Sequence, residues 1–357
     1  MKNKKELKSW LNNMGLSHPL IIAGPCSAET EEQVLTIAHQ LKDTDTTVLR
    51  AGVWKPRTRP GNFEGVGEVG LKWLQRAKEE TGLLIAIEVA NASHVKLALK
   101  HDIDILWIGA RSTVSPFIMQ EIADALQGTD KVVLVKNPIN PDLPLWLGGV
   151  ERLYQAKIKN LGVIHRGFST LEKSKYRNTP EWTLPIELQK RFPDLPIICD
   201  PSHIAGNRDY IFDICQQALE LNYDGLMVET HHDPDSAWSD AEQQVTPQGL
   251  VAIISDLKVK KNENMTDVFQ QNLINLRMQI DLLDNQLLNT LGKRMQVAQD
   301  IGVLKKTNNS SLRKNQRWNE VIDKIVLKAD EVGLSEDFIL NVFNGIHQES
   351  LKNQERI

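Results

Sequence analysis

Between residues 19 and 230 the chain repeats one unit eight times: a short apolar run followed by a polar turn and, mostly, a helical pattern. The runs are PLIIAGP (19–25), TTVLRAG (46–52), LLIAIEV (83–89), DILWIGA (104–110), KVVLVKN (131–137), GVIHRG (162–167), LPIICDP (195–201) and GLMVET (225–230). Most are apolar at every position, so alternation cannot set an inner and an outer face. That suits parallel strands covered on both sides. Spacers such as EEQVLTIAHQLK (31–42) and VGEVGLKWLQRAKEE (66–80) carry apolar residues at three- and four-residue steps. Eight strand–helix units predict an α/β fold, a closed (β/α)8 barrel; an open doubly wound sheet is the alternative.

The ends of the runs carry the chemistry. In chain order they finish at or just before Cys26, Arg50, Glu88, Arg111, Lys136, Arg166, Asp200 with His203, and Glu229. In a barrel the C-terminal strand ends converge on one mouth, where active sites are built. A buried ion pair or a satisfied histidine accounts for any one of them. Chance would scatter such residues over both strand ends, so that reading does not account for the set. Arg50, Lys55, Arg111, Lys136 and Arg166 form a cationic group, and guanidinium forks match phosphate and carboxylate oxygens. A small phosphate-bearing anion is the expected ligand. Cys26, His203, Glu229 and Asp240 supply a thiol, an imidazole and two carboxylates, a donor set for a divalent metal. Cys26 also reads as an ordinary small buried residue.

Overall charge makes this cationic group a local feature. The chain has 42 Lys and Arg against 46 Asp and Glu, net −4, which argues against nucleic acid or an anionic membrane as partner. Three cysteines, Cys26, Cys199 and Cys215, do not suggest a disulfide scaffold. The opening MKNKKELKSWLNN lacks the apolar core of a secretory signal, and no apolar stretch reaches membrane-spanning length. A cytoplasmic enzyme is expected.

The motifs GPCSAE, RAGVWKPRTRP, IGAR, LVK, HRG, DPSH, VET and SDAEQQ occur in an order that resembles the 3-deoxy-D-arabino-heptulosonate-7-phosphate (DAHP) synthases, class I, β-type, over roughly residues 18–256. The resemblance implies condensation of phosphoenolpyruvate with erythrose 4-phosphate and release of phosphate, the opening step of the shikimate route. It implies Cys26, His203, Glu229 and Asp240 as ligands of one divalent ion, Mn2+ first, with Co2+, Fe2+ or Zn2+ as alternatives. Arg50, Lys55, Arg111, Lys136 and Arg166 would hold phosphoenolpyruvate. Pro56, Arg57 and Thr58 would meet erythrose 4-phosphate. The sibling octulosonate-phosphate synthases take a five-carbon aldehyde and usually carry an alanine–asparagine insertion in the lysine motif. Here the motif reads Lys55-Pro56-Arg57-Thr58, which favours the four-carbon aldehyde. Arg59 stands where a small residue is common.

The pattern changes after the eighth unit. The barrel is assigned to 1–256, a polar linker to 257–266 and a helical domain to 267–357. From Thr266 to about Leu304 one long stripe runs through Leu273, Leu276, Ile280, Leu283, Leu287, Leu291, Ala298 and Ile301. Helices follow near 312–332 and 335–355, the last started by Ser335, Glu336 and Asp337. Two short helices cannot cover so long a stripe, so a homodimer through this domain is expected. Arg294 and Lys305 interrupt the stripe on one face, and Arg277 is rotated by roughly 100° from it.

LRMQIDLLDNQLL, KRMQVAQDIGVLK and HQESLKNQ are similar to the all-helical chorismate mutases. The resemblance implies a Claisen rearrangement of chorismate to prephenate, with Arg277, Arg294, Lys305, Arg317, Ser350 and Gln354 as binding residues and Arg277 given by the other protomer. Cations would fix two carboxylates in the compact conformer, while Lys305 and Gln354 stabilise the ether oxygen. Lys314 and Trp318 stand where this family usually has acidic residues. The alternative is a non-catalytic sensing and dimerisation module. Control through an appended module further implies that prephenate or chorismate bound there inhibits the synthase.

Overall fold

The computed structural model describes residues 9–14, 16, 18–56, 61–170, 174–258, 268–307 and 315–355. Arg57, Thr58, Arg59 and Lys314 lie outside the described residues, and so does the side chain of Arg317. The chain divides into two compact units, 1–263 and 264–357.

The first unit is a closed eight-stranded barrel in sequence order. Its strands are β1 (Leu20–Gly24), β2 (Val48–Arg50), β3 (Leu84–Val89), β4 (Ile105–Ile108), β5 (Val132–Lys136), β6 (Leu161–His165), β7 (Ile197–Cys199) and β8 (Gly225–Glu229). Every neighbouring pair is parallel, and β8 closes on β1 with Gly24 opposite Glu229. The open-sheet alternative is thereby excluded. Thr30, Asn91, Ser115, Asp142 and Thr246 cap outer helices by accepting from a backbone N–H of the first turn.

Why charges gather at one mouth follows from the two-residue period of a strand. The buried core includes Ile22, Val48, Ala86, Trp107, Leu134, Ile164, Ile198 and Met227, one from each strand. Two residues further along the chain, within each strand or one residue past its end, come Gly24, Arg50, Glu88, Gly109, Lys136, Arg166, Asp200 and Glu229. An apolar layer is therefore roofed by a layer holding six charged side chains. The opposite end is plugged by Trp10, which is buried and donates from Nε1 to the Leu161 carbonyl at 3.0 Å.

The second unit has three helices, Val268–Thr307, Asn315–Glu331 and Glu336–Glu355. The first and third pack closely: a Cβ on Gly302 would lie 3.1 Å from the Gln354 Cα. Ala298, Ala329, Ile339 and Ser350 are buried in this small core. Leu276, Ile280, Leu283 and Leu287, which continue the stripe toward the N-terminal end, are 53–56% exposed in the single chain. No helix among the described residues is long and apolar enough to cross a membrane.

Candidate active site

Gly24 sets the mouth of the barrel. It has φ of +141°, and a Cβ there would run into the Arg50 backbone. Only glycine lets β1 turn this close to β2, and the turn delivers Cys26 beside Arg50. The Arg50 guanidinium is 1% exposed; Nη2 donates to the Cys26 carbonyl at 3.4 Å and lies 3.2 Å from Glu229 Oε1. Among the described residues, its Nε and Nη1 are buried and donate to nothing. Lys55 Nζ donates to the Cys26 carbonyl at 3.1 Å and to Cys26 Sγ at 2.9 Å. Lys136 Nζ donates to Asp200 Oδ2 at 2.7 Å. Trp107 forms the floor, with Arg50 4.9 Å and Lys136 5.6 Å from its ring centre.

Arg166 donates from Nη1 to Asn178 Oδ1 at 2.7 Å. Burial lowers its guanidinium to about 10, opposed by Asp200 and reinforced by Arg177 and Arg111. Arg111 itself is exposed at the start of the short helix Ala110–Thr113, and Pro56 is half-buried. The expected cations thus share one mouth, but two are paired with buried carboxylates, so the lining is mixed rather than purely cationic.

The expected metal donors approach one another in pairs. Cys26 Sγ lies 3.2 Å from Asp240 Oδ2, and His203 Nδ1 lies 3.8 Å from Glu229 Oε1. Among the described residues, no three His, Cys, Asp or Glu side chains close around one point. Burial, with Glu229 behind it, pushes the Cys26 thiol up to about 12, while Lys55 pulls the other way. Burial lowers the His203 imidazole against the attraction of Asp200. Burial would raise the Asp200 carboxyl, but His203 and Lys136 hold it well below the usual carboxylate range. Asp240 has φ of +49°, a conformation aspartate adopts more readily than most residues.

Sequence reasoning passed over the residues that orient these donors. Gln244 Oε1 accepts from the Cys26 N–H at 3.0 Å, and Gln243 Nε2 donates to Glu229 Oε2 at 2.6 Å. Arg177 donates to Asp240, and Asn178 Nδ2 donates to the His203 carbonyl at 2.6 Å. Both glutamines lie inside the SDAEQQ motif, so a signal for them was present. Arg177 and Asn178 lie in an irregular loop after β6, and no periodicity points to them.

In the helical unit Arg294 Nη1 donates to Ser350 Oγ, which in turn donates to the Ile346 carbonyl at 2.8 Å. Burial lowers the Arg294 guanidinium. Lys305 is half-buried one turn beyond Gly302, and Gln354 packs against Gly302 with an Oε1 that accepts no bond among the described residues. Trp318 stacks on His347 at 3.9 Å. Arg277 is exposed on the long helix, apart from this group.

Known proteins share both halves. Residues 11–266 match the DAHP synthetase I family and residues 276–355 match chorismate mutase type II. A phospho-2-dehydro-3-deoxyheptonate aldolase of Thermotoga maritima is 30% identical over 245 residues, 69% of this chain and 70% of the relative. A 2-dehydro-3-deoxyphosphooctonate aldolase of Desulfatibacillum aliphaticivorans is 29% identical over 280 residues, 69% of this chain and 93% of the relative. The crystal structure of the Thermotoga maritima DAHP synthase superposes with a TM-score of 0.61 at 30% identity, covering 66% of this chain and 67% of that one. The chain belongs to the DAHP synthetase I family, carries a chorismate mutase type II domain behind its barrel, and is both a transferase and an isomerase.

Proposed function

We propose that the barrel condenses phosphoenolpyruvate with erythrose 4-phosphate and that the helical unit rearranges chorismate to prephenate. The observation that carries the first half is Arg50. Two of its donors are buried without a partner, and a buried unpaired donor to a charged ligand is worth about 1.5–3 kcal/mol once satisfied. An anion seated at the mouth satisfies both. Arg50, Lys55, Arg111, Lys136 and Arg166 hold phosphoenolpyruvate. Pro56, with Arg57 and Thr58 outside the described residues, meets the aldehyde phosphate. The cations bring two mutually repelling anions within bonding distance. Carbon 3 of the enol then bonds to the aldehyde carbon, water adds to carbon 2, and phosphate leaves.

The donor set fits a divalent ion. Among the described residues Glu229 Oε1 is fully buried and accepts no hydrogen bond, with the Arg50 guanidinium 3.2 Å away as its ion-pair partner. The lowered His203 favours the neutral imidazole that a metal needs, and Asp200 at 2.9 Å from Nδ1 leaves Nε2 with the lone pair. Cys26, His203, Glu229 and Asp240 would hold it. The ion supplies Lewis-acid stabilisation of the developing alkoxide when bound. After exhaustive chelation the full chain is expected to lose condensation and regain it with Mn2+. Cys26→Ser at the same added ion is expected to stay inactive, with chorismate turnover unchanged in both. Full condensation by the metal-stripped protein would overturn the metal assignment.

The helical site works as a homodimer. Arg277 and Arg294 are seventeen residues apart on one helix, about 25 Å, too far to grip one small diacid. A second copy covers the exposed stripe at Leu276–Leu287 and brings its Arg277 to Arg294, Lys305, Arg317, Ser350 and Gln354. Prephenate held there inhibits the synthase, a coupling of the usual 1–3 kcal/mol.

A further inference from the structure

Arg177 and Gln243 take no part in the chemistry above, yet they tie both carboxylate donors into one chain. Arg177 Nη1 donates to Asp240 Oδ1 at 2.8 Å and to Gln243 Oε1 at 2.8 Å. Gln243 Nε2 donates to Glu229 Oε2 at 2.6 Å. The polarity of this chain is forced. A guanidinium has no acceptor, so the Gln243 oxygen must face Arg177 and its NH2 must face Glu229. We propose that Arg177 and Gln243 are positioning residues of the metal centre, fixing the orientation of the Asp240 and Glu229 carboxylates. The inference rests on the metal reading of Cys26, His203, Glu229 and Asp240.

A carboxylate has two equivalent oxygens and rotates between them; a donor held on one oxygen fixes the plane of the group. Asp240 Oδ2 then meets Cys26 Sγ at 3.2 Å, and Glu229 Oε1 meets Arg50 Nη2 at 3.2 Å. An exposed arginine–aspartate pair by itself would mean little. Gln243, however, is 1% exposed, and its bond to Glu229 is fully enclosed. The arginine is also seated by the fold. Its N–H donates to the Ala205 carbonyl at 3.1 Å, and a Cβ on Gly206 (φ +67°) would collide with its side-chain stem. Asn178, next in sequence, donates to the His203 carbonyl and accepts from Arg166. One two-residue stretch therefore reaches three of the four donors: Asp240 by a direct bond, Glu229 through Gln243, and His203 through its backbone carbonyl.

The test is Co2+ titration of the metal-free full chain, following thiolate-to-cobalt charge-transfer absorption, which reports the Cys26 bond. Gln243→Ala is expected to weaken Co2+ binding by about 10–100-fold, the usual size of an outer-shell loss, with the metal-free melting curve near the parent's. Arg177→Lys keeps the positive charge and loses the two-way bridge, so it is expected to weaken binding in the same direction but less; it decides the matter if Gln243→Ala misfolds. Parent-like Co2+ affinity in both variants, beside a Cys26→Ser control that loses the band, would overturn the positioning role while leaving the metal reading standing. No band and no binding in the parent would overturn both.

Discussion

Replacing Arg50 by lysine is expected to lower kcat/KM for phosphoenolpyruvate by about 100-fold or more, chiefly through KM, because two charge-assisted bonds at about 1.5–3 kcal/mol each are lost and 1.4 kcal/mol is tenfold. Lysine keeps the charge that faces Glu229 at 3.2 Å. It cannot present the two donors that are buried and unpartnered in Arg50. A methionine in its place would also leave Glu229 buried without its partner, which costs about 3–5 kcal/mol of stability, so the lysine variant separates binding from folding. Steady-state kinetics with the second substrate saturating read the effect. A parent-like KM would mean that the anion does not sit against Arg50.

Arg294→Ala is expected to reduce chorismate turnover by roughly 100–1000-fold, the loss that follows removal of one preorganised donor to developing charge. The same variant is expected to keep synthase kinetics and to lose inhibition by added prephenate. Arg294 bonds to Ser350, close to the Gly302–Gln354 contact, within the second compact unit. Its loss is therefore expected to remove a contact to chorismate and to change no residue of the barrel unit. Parent-rate mutase activity would move the site elsewhere, and persisting inhibition would separate control from this site.

The fold was legible because a barrel writes itself eight times over. Each apolar run became one strand, and in six of the eight a charged residue lies two positions beyond a core residue, with Gly24 and Gly109 at that place in the other two. The helical boundaries were close for a similar reason. The long stripe became Val268–Thr307, and Ser335 accepts from the Phe338 N–H at the start of the third helix. The pairing inside the mouth was not legible. Asp200 reads in sequence as one more polar strand end, whereas the fold sets it between Lys136 and His203. Arg177 is 63 residues from Asp240 in sequence, in a loop without period or pattern, and only barrel closure brings the two together. Trp318 likewise gave no hint of its stack on His347.

One relative is named for a heptonate and the other for an octonate, so the length of the aldehyde that this chain accepts separates the two readings of the barrel. In a competition between erythrose 4-phosphate and arabinose 5-phosphate at limiting phosphoenolpyruvate, the full chain is expected to favour the four-carbon aldehyde in kcat/KM by about 100-fold or more, the discrimination reached when an extra group must be excluded from a site. Equal use of both aldehydes, or preference for arabinose 5-phosphate, would contradict it.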